Sequence, residues 1–151
     1  ADIELHLPEG VSVQVVNDVG DISIEDMGNI SLETNVGDIK ANRITGSTIL
    51  RSDVGDISLE DASQEISLRT RVGDINIKLD DASVDAKNDV GDIQLDIPDD
   101  SNITITATSS SRSLEGDLER ITANEGRLRL GSGEFPVTLS TNIGEIRVDQ
   151  R

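Results

Sequence analysis

The chain has no cysteine, tryptophan or tyrosine, and only one phenylalanine, one methionine, one histidine and three prolines. Without cysteine there is no disulfide framework, thiol nucleophile or thiolate metal site, although the compartment stays open. The single aromatic, Phe135, leaves a compact two-layer globule without the large anchors that usually fill one. It also removes the Trp and Tyr faces on which sugar-processing clefts stack their substrates. The lone His6 has no second histidine with which to form a metal or acid/base pair, and an edge-strand surface position is expected for it. No run of about 18 apolar residues occurs and no apolar segment opens the sequence, so a soluble domain is expected, with any signal or anchor lying elsewhere.

Positive charge is the other scarcity: 13 Lys and Arg stand against 30 Asp and Glu, a net charge of −17 over 151 residues. Phosphate backbones and anionic lipids are bound by Lys/Arg clusters. The arginines are scattered along this chain without a visible cluster, so neither nucleic acid nor direct membrane binding is expected. The length fits one domain, 1–151.

What the chain does have is repetition. NDVGDISIED (17–26), TNVGDIKANR (34–43), SDVGDISLED (52–61), TRVGDINIKL (70–79) and NDVGDIQLDI (88–97) recur, and a last copy, TNIGEIRVDQ, spans 141–150. The glycines at 20, 37, 55, 73 and 91 are 17, 18, 18 and 18 residues apart, a period that suits a β-solenoid coil better than a helical repeat. Within the unit, apolar residues alternate: Ile66, Leu68, Thr70 and Val72 precede the turn, and Ile75 and Ile77 follow it with a change of phase.

Stacking the units predicts three columns: Val13, Ile30, Thr48, Ile66, Val84, Ile103 and Val137; Val15, Leu32, Leu50, Leu68, Ala86, Ile105 and Leu139; and Ile22, Ile39, Ile57, Ile75, Ile93 and Ile146. A coil cannot bury these side chains alone, whereas stacked coils exclude water along a continuous core. The fold class expected is therefore all-β, a single-domain parallel β-solenoid with about 18 residues per coil and right-handed crossovers. Regular coils are placed at about 11–107 and a divergent capping region at about 108–151, where Ser109 and Ser110 stand in place of the Val and Gly of the motif. Roughly eight coils about 4.8 Å apart would make a rod of about 40 Å.

Several segments carry a family resemblance: LHLPEGVSVQVVNDVGDISIED (5–26), the repeated VGDI, IPDDSNITITATSSS (97–111) and LGSGEFPVTLSTNIGEIRV (130–148). Together these resemble a bacterial adhesin-type domain of unknown function that includes Lia-type and YvlB-like envelope-stress proteins. The resemblance implies a parallel β-solenoid with envelope or extracellular association, often joined to an anchoring or regulatory segment, and with no established catalytic residues. The departures are Gly144-Glu145 in place of Gly-Asp and the lost motif near 109.

The most conspicuous candidate site is Asp21, Asp38, Asp56, Asp74 and Asp92, which stacking places in a ladder. Two exposed carboxylates about 5 Å apart repel by only about 0.8 kcal/mol in bulk water, so a solvated ladder is tolerable. A hard cation would relieve the repulsion, and Ca²⁺ is the one the row would take. The favoured reading is structural, with no metal, cofactor or catalytic residue. Gly20, Gly37, Gly55, Gly73, Gly91 and Gly144 supply unusual backbone angles, and the aspartates accept local hydrogen bonds.

A second row, Asp18, Asn35, Asp53, Arg71 and Asp89, sets register through pairing of Arg71 with Asp53 and Asp89. Asn17, Thr34, Ser52, Thr70, Asn88 and Thr141 form an inward polar column bonded to itself or to turn backbone. Asn29 and Asn102 match the glycosylation sequon, which matters only in a secreted eukaryotic chain.

The function expected is a non-enzymatic, envelope-associated surface for protein interaction, sensing or adhesion. One alternative is a calcium-dependent β-helix that binds or cleaves polysaccharide. Another is a scaffold assembling end to end, which the acidic charge would oppose at low salt.

Overall fold

The computed structural model describes residues 3–6, 12–62, 65–79, 82–98, 102–110, 113–116, 119–120, 125–129 and 131–150, and among them there is no helix. The strands form two sheets. One stacks, in spatial order, β1 (Ile3–His6), β3 (Ile22–Met27), β5 (Ile39–Ile44), β7 (Ile57–Ala62), β9 (Ile75–Leu79), β11 (Ile93–Ile97), β17 (Glu145–Gln150) and β13 (Ser113–Gly116). The other stacks β14 (Glu119–Arg120), β15 (Glu125–Arg129), β12 (Ile103–Ser109), β16 (Phe135–Ile143), β10 (Val84–Val90), β8 (Ile66–Val72), β6 (Thr48–Val54), β4 (Ile30–Val36) and β2 (Val13–Val19).

Each regular coil sends one strand to each sheet through a VGD turn, so the protein is a parallel β-solenoid whose rungs recur about every 18 residues. Period-two alternation places every second side chain between the sheets. Leu50 pairs with Leu68 and Ile57 with Ile75, all of them at most 1% exposed. The isoleucine column runs Ile22, Ile39, Ile57, Ile75, Ile93 and Ile146 through successive parallel pairs, as the repeat predicts. Side chains meet their equivalents above and below, which closes a core that is aliphatic except for the partly buried Phe135 packed against it.

The structure departs from the sequence expectations in three places. Val72 shares parity with Ile66, Leu68 and Thr70, yet it is 47% exposed. The chain swings out at the corner one residue before Gly73, so the inward alternation ends at Thr70.

The columns also shift at β12. Val137 pairs with Ile105, not Ile103, and Leu139 pairs with Ala107, because Ser109 takes the polar position opposite Thr141.

The third departure is the order of the coils. Residues 135–150 do not cap the end: β16 lies between β10 and β12, and β17 lies between β11 and β13. The cause is visible in the motif. After residue 97 only TNIGEI carries the Thr, Gly and acidic residue that continue the Asn88–Gly91–Asp92 coil, and Thr141 Oγ1 donates to the Gly91 carbonyl at 3.1 Å. The degenerate 103–116 coil stacks outside it, and antiparallel β15 covers β12. Leu130 and the LPEG segment lie outside the described residues.

Candidate functional site

The VGD corner is built from glycine outward. Gly20, Gly37, Gly55, Gly73, Gly91 and Gly144 have φ between +128° and +147°, a region that L side chains rarely adopt. Space forbids a side chain as well: a Cβ on Gly73 would stand 2.0 Å from the Gly55 carbonyl oxygen.

The inward polar column answers those carbonyls. Ser52 Oγ donates to Gly37 O at 3.1 Å, Thr70 Oγ1 to Gly55 O at 3.2 Å, Asn88 Nδ2 to Gly73 O at 2.6 Å and Ser109 Oγ to Gly144 O at 3.0 Å. Thr34 reaches Gly20 O at 3.4 Å, and in the first coil Asn17 turns back to its own Gly20 at 3.3 Å. Apart from Asn17, each hydroxyl or amide thus serves a peptide group of the neighbouring coil.

The aspartates form a second ladder outside the first. Asp38 N–H donates to Asp21 Oδ1, Asp56 N–H to Asp38 Oδ1, Asp74 N–H to Asp56 Oδ1 and Asp92 N–H to Asp74 Oδ1, all at 2.8 to 2.9 Å. Glu145 N–H closes the series on Asp92 Oδ1 at 2.8 Å. The departure from Asp to Glu therefore falls on the last rung, where the backbone N–H is what the ladder uses. One oxygen each of Asp21, Asp38, Asp56, Asp74 and Asp92 is committed to a peptide donor. No group of three His, Cys, Asp or Glu among the described residues is placed to hold a metal ion.

The register row is paired unevenly. Arg71 reaches Asp53 at 2.9 Å, Asn35 reaches Asp18 at 3.3 Å, and Asp89 takes its bond from Asn142 at 3.3 Å and not from Arg71. On the opposite sheet Arg43 bridges Asp26 and Glu25, and the Asp26 hydrogen bonds raise its pKa above the ordinary arginine range. His6 lies in β1, paired with Glu25 of β3. Asn29 Oδ1 accepts from Ser47 N–H at 2.8 Å and Asn102 Oδ1 from Ser132 N–H at 3.1 Å, so both sequon asparagines brace turns.

Two surface features go beyond the sequence expectations. Val19, Val36, Val54, Val72, Val90 and Ile143 pair in register and stand 41% to 62% exposed, an apolar ridge along the corner. Arg51, Arg69 and Lys87 also align, and with Arg71 they gather beside one depression. These three cations are therefore not scattered: positions 51, 69 and 87 differ by the repeat period itself, and that spacing was the signal available in the sequence. Residues 13–149 match the family model described as Toastrack DUF4097. No curated protein and no solved structure matches the chain.

Proposed function

The chain belongs to the Toastrack DUF4097 family, and from that premise we propose that it is a non-enzymatic interaction domain presenting its solenoid surface to a protein partner. The family is not a known enzyme family. The observation that carries the reading is the ridge of Val19, Val36, Val54, Val72, Val90 and Ile143, whose members remain 41% to 62% exposed. At about 4.8 Å per rung, six side chains extend about 24 Å, and contiguous apolar surface of that kind marks contact sites.

Asp18, Asp53 and Asp89 stand on the residue before the ridge, and Asp38, Asp56, Asp74 and Asp92 on the far side of each glycine. The complementary partner is an apolar strip bordered by Lys and Arg. The likeness to Lia-type and YvlB-like envelope-stress proteins supports the bacterial cell envelope or its outer face as the place of display.

The test is retention of envelope proteins on the immobilised domain, comparing wild type with Val54→Thr/Val72→Thr. Threonine keeps the β-branched shape, so the variant should melt as wild type does while losing the partner. Equal retention by both, or no specific retention by wild type, contradicts the proposal.

A further inference from the structure

The outer face of the second sheet carries a row of three cations that form no ion pair among the described residues, with Glu33 of β4 in register beside Arg51 at one end of the row. Arg51 of β6 pairs in register with Arg69 of β8, and Arg69 with Lys87 of β10, so three positive side chains rise from adjacent strands about 4.8 Å apart. All three are exposed. Among the described residues none of them forms a hydrogen bond or an ion pair, although Arg71 beside them finds Asp53. Like charges directly opposite on neighbouring strands are destabilising. In a chain with 30 acidic residues against 13 basic ones, the one acid in register with the row, Glu33, makes no ion pair with Arg51. With Asp53, Arg71 and Asp89 it lines a depression of about 410 Å³. Lys87 also borders a neighbouring groove of about 670 Å³ whose wall carries Ser47, Ser67, Ser83 and Thr138 together with the carboxylates of Glu65 and Asp85.

The ligand must present anions at about the strand interval and hydroxyl donors between them, because Asp53 and Asp89 flank the row. A strand-forming peptide fits poorly. Strands β6, β8 and β10 are hydrogen-bonded on both sides, leaving no main-chain edge to extend. Same-face side chains of an extended peptide recur only about every 6.7 Å, out of step with the rungs. Nucleic acid would set phosphates against the flanking aspartates with no aromatic side chain to stack its bases. An acidic polysaccharide carries both groups on each sugar: a carboxylate for a guanidinium fork or ammonium, and hydroxyls for the aspartates and serines.

We propose that Arg51, Arg69 and Lys87 bind an acidic polysaccharide lying along the solenoid axis. The site uses different side chains from the valine ridge and stands or falls independently of it.

The experiment is calorimetric titration of the whole chain with polygalacturonate at about 0.15 M salt, where the far field of the acidic surface is screened beyond about 8 Å. The comparisons are Arg51→Gln/Arg69→Gln/Lys87→Gln, and Lys40→Gln/Lys78→Gln on the other sheet. Thermal melts check that both variants fold; the three changed side chains are exposed and removing them relieves repulsion. Saturable binding is expected, weakened about tenfold or more in the triple variant and unchanged in the control. Polyglutamate at equal carboxylate concentration should bind more weakly. The proposal is overturned if polygalacturonate does not bind, if the folded triple variant binds as wild type does, or if polyglutamate binds equally well.

Discussion

The carboxylate of Asp74 accepts the backbone N–H of Asp92, one coil further on, at 2.9 Å. Asp74 in turn donates its own N–H to Asp56 at 2.8 Å, so a single residue links three coils. Its side chain is needed as an acceptor and its charge is not. Asp74→Asn should therefore change stability by less than about 1 kcal/mol, and Asp74→Ala should cost about 0.5–1.5 kcal/mol. Denaturant unfolding of the two variants checks the order.

Gly73→Val should be far worse than either. It combines a φ of +142° with a Cβ 2.0 Å from Gly55 O, and that neighbour is backbone held in the ladder. Loss of the cooperative melt is expected; a folded Gly73→Val protein with nearly wild-type stability would show that the corner can be rebuilt.

Two threonines of the same interior predict opposite signs. Thr70 Oγ1 serves Gly55 O, so Thr70→Val strands a carbonyl and should destabilise by about 1–3 kcal/mol. Thr48 sits 1% exposed between Ile30 and Ile66, and its hydroxyl has no partner. Thr48→Val should stabilise by about 1 kcal/mol, raising the melting temperature by about 2–4 °C. Both variants lowering the melting temperature equally would contradict this division of the interior.

Leu68→Asp should unfold the solenoid, because it sets a carboxylate between Leu50 and Ala86 in a dry column. Ser67→Asp, on the exposed face, should cost little. Equal losses in circular dichroism melts would refute the register.

Much of this was legible in the repeat. The 18-residue spacing gave the isoleucine column, the glycine corner and the polar column, since in a stacked solenoid sequence period and spatial neighbourhood are the same thing. Val72 was misread because parity alone cannot say where a strand leaves the sheet. The order of the coils was hidden for a different reason: periodicity identifies equivalent positions but not which copy stacks on which. Only the fit of Thr141, Gly144 and Glu145 to the coil of Asn88, Gly91 and Asp92 decides it. The cationic row was legible, at 51, 69 and 87, but was obscured by counting charge over the whole chain.

The inserted coil makes its own prediction. Removing residues 135–151 takes away β16 and β17, which join β10 to β12 and β11 to β13. Because coils contact only their neighbours, amide exchange should accelerate in β10 to β13 while β4 to β7 stay protected. Uniform loss of protection would show a single cooperative unit instead.

Each carboxylate of the aspartate ladder is bonded to a backbone N–H of the neighbouring coil, so the ladder is architecture. Calorimetric melting with and without calcium, on wild type and Asp74→Asn, is the decisive measurement. One melting temperature is expected for each protein, unmoved by calcium, because each ladder carboxylate already holds a backbone N–H. A wild-type melting temperature that climbs with micromolar calcium and stops climbing in Asp74→Asn would contradict it.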